Sequence, residues 1–144
     1  MTDSLEQRVR QLEDMFAIQQ LLIDYGRTLD GRDSAGFAAL FAREGEWIAP
    51  PAFHPKGRDE IKAMIDRMLA NVPPSARAHY ITNMTITVEG LRARAHARFL
   101  LVEPSVDGSP YVRLSGHYDD ELIREAGRWV FLRRTLTHDL KATQ

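Results

Sequence analysis

Between Leu5 and Leu29 the apolar residues recur at helical spacing: Leu5, Val9, Leu12 and Phe16, then Ile18, Leu22, Tyr25 and Leu29, with Leu21 alongside. Side chains three and four apart share a helix face, so this run predicts one long helix, straight or bent, with a single apolar stripe. Its end is expected near Gly31, where glycine tolerates a left-handed cap. Asp33 or Ser34 can cap a second, short helix whose buried face is Phe37, Leu40 and Phe41. The prolines and glycines of EGEWIAPPAFHPKG break helix, and Glu46 to Ala49 reads as a short strand. A third helix is expected after Gly57. Asp59 and Glu60 in its first turn favour the positive end of the dipole, and Ile61, Met64, Ile65 and Met68 form its stripe. Asn71 and the Pro73-Pro74 pair stop it.

After Pro74 the period changes to that of a strand. Ala78 to Val88 is extended, and Glu89-Gly90 makes a tight turn. Leu91 to Val102 alternates, with Leu91, Ala93, Ala95, Ala97 and Phe99 on one face and Arg92, Arg94, His96 and Arg98 on the other. A loop with Pro104, Gly108 and Pro110 leads into Tyr111 to Arg124, and Ala126-Gly127 turns the chain into Trp129 to His138. Three helices followed by a long antiparallel meander make an α+β fold. A curled sheet with the helices on one side is its compact solution.

Composition narrows the function classes. The 144 residues suit one domain, residues 1–144, and with 44% apolar residues it can build its own core. A net charge of -1 gives no general attraction to nucleic acid or to a membrane surface. The absence of cysteine excludes disulfides, thiolate metal sites and cysteine nucleophiles, and it fits a reducing compartment. The start MTDSLEQRVRQLED is too charged for a signal peptide, and no apolar run is long enough to span a bilayer, so a soluble, cytoplasmic protein is expected. The histidines, His54, His79, His96, His117 and His138, are scattered without metal-ligand spacing, and no phosphate loop or GxGxxG is present. Neither a metal nor a cofactor is expected.

The segment RAHYITNM, Arg77 to Met84, raises a separate question, because it places His79 and Asn83 on the same strand face as Ile81. Together with AIQQLLIDYGRTLDGRDSAGFAALFAREGEW, KGRDEIKAMI and GHYDDELIREAGRWVFLRR, it resembles the SnoaL-like branch of the nuclear-transport-factor-2-like superfamily over almost the whole chain. The resemblance implies a cone: three N-terminal helices closing over a curved antiparallel sheet around a pocket. It also implies a homo-oligomer, most simply a dimer, since the sheets of relatives often pair back to back. It does not by itself choose a function, because the fold hosts dehydratases, isomerases, cyclases and plain binders.

Hexachlorocyclohexane dehydrochlorinase and scytalone dehydratase, both in this superfamily, carry an aspartate and a histidine at the motif positions of Asp30 and His79. There the pair is a base dyad for elimination, and the resemblance implies the same here. The chemistry is general. A carboxylate fixes the imidazole tautomer and stabilises the imidazolium, leaving Nε2 free to take a proton from carbon. On spacing alone the simpler reading is that Asp30 ends a helix or holds a turn and that His79 is a hydrogen-bonded interior histidine; it is the resemblance that favours the dyad. Tyr25, Trp47, Phe53, Asn83, Tyr118 and His138 are further pocket candidates, each also readable as core, strand pairing or surface. No acid stands near Ala49, where the resemblance would put the base of ketosteroid isomerase. Asp119 and Asp120 are adjacent on a strand and face opposite sides, so they cannot serve one site. The leading expectation is a cofactor-independent lyase or isomerase (dehydratase, dehydrohalogenase or cyclase-like) on a small apolar ring compound. The alternative is a non-catalytic binder of a small hydrophobic ligand, or an accessory subunit.

Overall fold

The computed structural model describes residues 2–143. The elements run α1 (Leu5–Asp30), α2 (Ser34–Ala39), β1 (Phe41–Ile48), α3 (Gly57–Ala70), β2 (Ala78–Glu89), β3 (Arg92–Pro104), β4 (Pro110–Glu125) and β5 (Arg128–Lys141). A capping box starts α1: the Ser4 hydroxyl accepts from the Gln7 N–H at 3.2 Å, and the Gln7 side chain accepts from the Ser4 N–H at 2.7 Å. At its other end Gly31 stays right-handed, and the left-handed residue is Arg32, with φ of 58°. Asp33 caps α2 by accepting from the Gly36 N–H at 2.8 Å. Phe41 does not belong to that helix; it opens β1, which starts earlier than Glu46.

The sheet order is β1-β5-β4-β3-β2. Strands β2 to β5 form the expected antiparallel meander, whereas β1 lies parallel to β5, so the sheet is mixed. The curved sheet is open: β1 and β2 are its two edges and do not pair, so the cone is not closed into a barrel. The core lies between the inner face of the sheet and the helices. Ile18, Leu22 and Tyr25 of α1 pack there with Phe37, Trp47 and Phe99. The alternation read along β3 holds from Ala93 to Leu101.

Two expectations about facing are corrected. The apolar positions of α1 form two stripes instead of one. Leu5, Leu12 and Phe16 are 74%, 66% and 71% exposed, while Ile18, Leu22 and Tyr25 are buried. Between Phe16 and Ile18 the pattern steps by two residues, about 200° around a helix, which carries it to the opposite side. In β2 the register slips between Thr82 and Thr85, and Asn83 takes a positive φ of 52°. This bulge turns Asn83 out to solvent, where its side-chain oxygen accepts from the Thr82 hydroxyl at 2.8 Å. A bulge on an edge strand also discourages edge-to-edge pairing. Among the described residues no helix is long and apolar enough to cross a membrane, and no group of three or more His, Cys, Asp or Glu could hold a metal ion.

The parallel β1–β5 pairing is tied on the outside by Glu46. Its carboxylate accepts twice from Arg133, at 3.0 and 2.9 Å, contacts His54 at 2.8 Å and lies 3.4 Å from Lys56. Its pKa falls from 4.5 to about 2, first because of the Arg133 hydrogen bonds. A depressed carboxylate pKa contributes stability that is fully present above 4.5 and is lost as pH falls toward 2. Glu46→Gln is therefore expected to flatten the acid limb of stability in that window and leave the slope above it unchanged. Urea denaturation along a pH series checks this.

Candidate active site

The last residue of α1 is hydrogen-bonded twice to the second residue of β2. Asp30 Oδ2 accepts from the His79 backbone N–H at 2.8 Å, and Asp30 Oδ1 meets the His79 Nδ1 at 2.6 Å. With a carboxylate at Nδ1, that nitrogen carries the proton and Nε2 is left as the acceptor. The close approach of helix and strand needs Gly26. A Cβ there would lie 3.2 Å from the His79 Cβ, tighter than ordinary packing. Just past the helix, the left-handed turn at Arg32 aims its guanidinium at the end of α3, where it donates to the carbonyls of Leu69 at 2.8 Å and Val72 at 2.9 Å. The Leu69 carbonyl also accepts from the Val72 N–H at 3.3 Å, and Val72 lies just past the helix, so Arg32 adds a further partner at the end of α3 and ties it to the turn after Asp30.

Asp30 and His79 both line a cavity of about 190 Å³. Its wall is mostly apolar, built by α1, the turn around Phe53, the end of α3 and the inner face of β3 to β5. Of the residues expected in a pocket, Tyr25, Trp47, Phe53, Tyr118 and His138 line it together with Asp30 and His79. Asn83 does not, because the β2 bulge places it on the outside. Phe99 stacks on Tyr118 with ring centres 4.8 Å apart and reaches toward both histidines. Burial lowers the His138 pKa, and nearby Lys141 adds to the effect, so this ring favours its neutral form.

Behind the two tyrosines lies an ion pair absent from the expectations. Arg134 is fully buried and donates through Nε and Nη2 to the two oxygens of Asp120, each at 2.8 Å. Its guanidinium carbon lies 3.9 Å from the Tyr118 ring centre and 4.2 Å from those of Tyr25 and Phe131. Nη1 has no hydrogen-bond partner among the described residues and is enclosed by these rings. Burial raises the Asp120 carboxyl, while the paired guanidinium opposes the rise. Burial also pushes the Tyr25 phenol up to about 12, against the pull of Arg134, and raises Tyr118 further. Both phenols are thus neutral hydroxyls. Tyr25 accepts from the Trp47 indole N–H at 3.1 Å, which directs its own proton elsewhere.

A signal for this pair was present. Asp119-Asp120 and Arg133-Arg134 are adjacent charges on neighbouring strands, so each pair must turn one member inward, and Asp120 and Arg134 are direct cross-strand partners.

Residues 10–135 match the SnoaL-like domain family. The chain belongs to that family. It is 28% identical over 133 residues to an uncharacterized protein of Mycobacterium tuberculosis, covering 90% of this chain and 88% of the other. A solved protein of Novosphingobium aromaticivorans, described as NTF2-like with a cystatin-like fold, superposes with a TM-score of 0.84 at 27% identity, over 99% of this chain and 95% of that one. A second from the same organism, provisionally assigned as a scytalone dehydratase, gives 0.79 at 26% identity, over 93% and 89% of the two chains. In this SnoaL-like domain the cavity lies inside the open cone, with the Asp30–His79 pair at its wall and the Arg134–Asp120 pair behind it.

Removing one partner of the buried pair strands a charge. Arg134→Met is expected to cost about 3–5 kcal/mol, and Arg134→Met with Asp120→Leu to recover most of that loss. Guanidinium denaturation of the single and double variants measures it.

Proposed function

We propose that this SnoaL-like domain is a cofactor-independent enzyme of lyase or isomerase type. It acts on a small apolar ring compound, with His79 as general base and Asp30 as its orienting partner. The observation that carries this reading is the 2.6 Å contact between Asp30 and His79 Nδ1 at the wall of an apolar cavity. The contact leaves Nε2 to take a proton from a carbon beside a carbonyl or a leaving group. The C–H electron pair becomes the new C=C bond and expels the leaving group with its bonding pair, or passes to the carbonyl oxygen as an enolate. Tyr118 and Tyr25, held neutral by burial, suit the hydrogen-bond donor that such an oxygen needs. A volume of about 190 Å³ exceeds the roughly 150 Å³ cavity known to take up benzene, which favours a compact ring. Identity to a protein provisionally assigned as a scytalone dehydratase supports the same class. The reading takes residues 1–144 as one domain, cytoplasmic and homodimeric, with no metal, cofactor or nucleic acid.

One observation favours a second reading, a ligand binder without chemistry. Asp30 also accepts from the His79 backbone N–H, so its carboxylate clamps helix to strand whether or not the ring works as a base.

Screening small cyclic carbonyl, hydroxyl and halogenated compounds by mass spectrometry separates the two. The enzyme reading predicts a product whose kcat/KM falls on the order of 10²–10⁴-fold in His79→Ala, with comparable loss in Asp30→Asn and little change in ligand affinity. Turnover unchanged in both variants overturns it. Binding with no product across the set supports the binder.

A further inference from the structure

The cavity has two chemically different ends. At the deep end Trp47, Leu101, Tyr118 and Leu136 are all buried. The mouth is where the lining reaches solvent, at Arg32, Met68, Ser75 and His138, with Arg77 half-buried. Among the described residues Arg32 and Arg77 are the two permanent cations of the lining. Its one carboxylate, Asp30, is taken up twice by His79.

The positive charge at this rim is not cancelled. Arg32 donates to the neutral carbonyls of Leu69 and Val72 and has no carboxylate partner among the described residues. Arg77 stands 3.4 Å from Glu103, longer than a charge-assisted hydrogen bond. The same carboxylate lies 3.5 Å from Arg113, so one negative charge is divided between two guanidiniums. Lys141 is near enough to His138 to disfavour a charge on that ring, while Asp139, which acts the other way, is bound by His117 at 2.7 Å. A guanidinium held partly out of water with a shared counter-ion gains more from a second anion than a fully solvated one does.

We propose that the mouth selects a ring compound bearing a carboxylate, with Arg77 as the principal partner, Arg32 adding charge and the ring lying in the apolar end. This rests on the reading of the cavity as the site of a compact ring. Arg77 precedes His79 by two residues, so both fall on the same side of the extended chain, about 6–7 Å apart along it. A carboxylate on Arg77 therefore leaves carbon of the same molecule, a few bonds away, facing His79.

Phenylacetate and phenylacetamide have nearly the same shape and differ in charge. Calorimetric titration of the natural chain compares them, and the ¹H–¹⁵N signals of the His79 amide and the Trp47 indole locate the ring. The acid is expected to bind roughly tenfold tighter than the amide, by a margin that shrinks as salt is raised. Arg77→Gln is expected to bring the two within about threefold of each other. Glu103→Gln, which releases Arg77, is expected to tighten the acid roughly threefold and leave the amide unchanged. Opposite effects from the two variants separate this role from a loss of fold. Three results overturn the proposal: no binding of either probe in the cavity, equal binding of acid and amide, or a preference that neither variant alters. Equal binding leaves the His79 base untouched, whereas a bound acid with no product across the wider screen supports the mouth and counts against the enzyme.

Discussion

The rest of the site depends on one carboxylate at the end of a helix. Asp30 ties α1 to β2 through both the backbone and the ring of His79, and Gly26 lets helix and strand come close enough for it. That contact fixes the direction of the imidazole, and the position of α1 fixes where the cavity begins. Arg32, two residues on, captures the end of α3 with a pair of hydrogen bonds and brings the third helix to the same place. Three elements distant in sequence therefore meet around one residue.

The interior behind that contact is polar in a controlled way. A fully buried guanidinium is neutralised by Asp120 and enclosed by aromatic rings, and two of those rings, Tyr25 and Tyr118, also line the cavity. Such a pair adds little net stability over a hydrophobic core of equal volume. What it supplies is a fixed positive charge behind two neutral tyrosines that line the cavity. The cavity wall thus combines the Asp30–His79 pair with two neutral phenols in a mostly apolar lining.

The helices, the meander and the α+β class were legible because they rest on local periodicity. The alternation from Ala93 to Leu101 in β3 and the stripe of Ile61 and Ile65 in α3 are each visible within one element. Features that depend on a partner were not. The bulge that expels Asn83 is set by pairing with β3, and the early start of β1 at Phe41 by pairing with β5. Arg32 looks like a loop arginine until the end of α3 is placed beside it. The two stripes of α1 were readable as an angle between Phe16 and Ile18, but the expectation of a single core merged them. Arg134 was hidden because an arginine in an alternating strand is assigned to solvent unless the opposing Asp120 is considered with it.

The central claim is that Asp30 holds His79 with its proton on Nδ1 and its Nε2 lone pair directed to the cavity. Long-range ¹H–¹⁵N correlation of the imidazole, assigned with His79→Ala, measures this directly in the neutral ring. The account predicts a single Nδ1–H tautomer in the natural chain that shifts toward the Nε2–H form in Asp30→Ala. An Nε2–H ring in the natural chain, or a tautomer indifferent to Asp30→Ala, would contradict it.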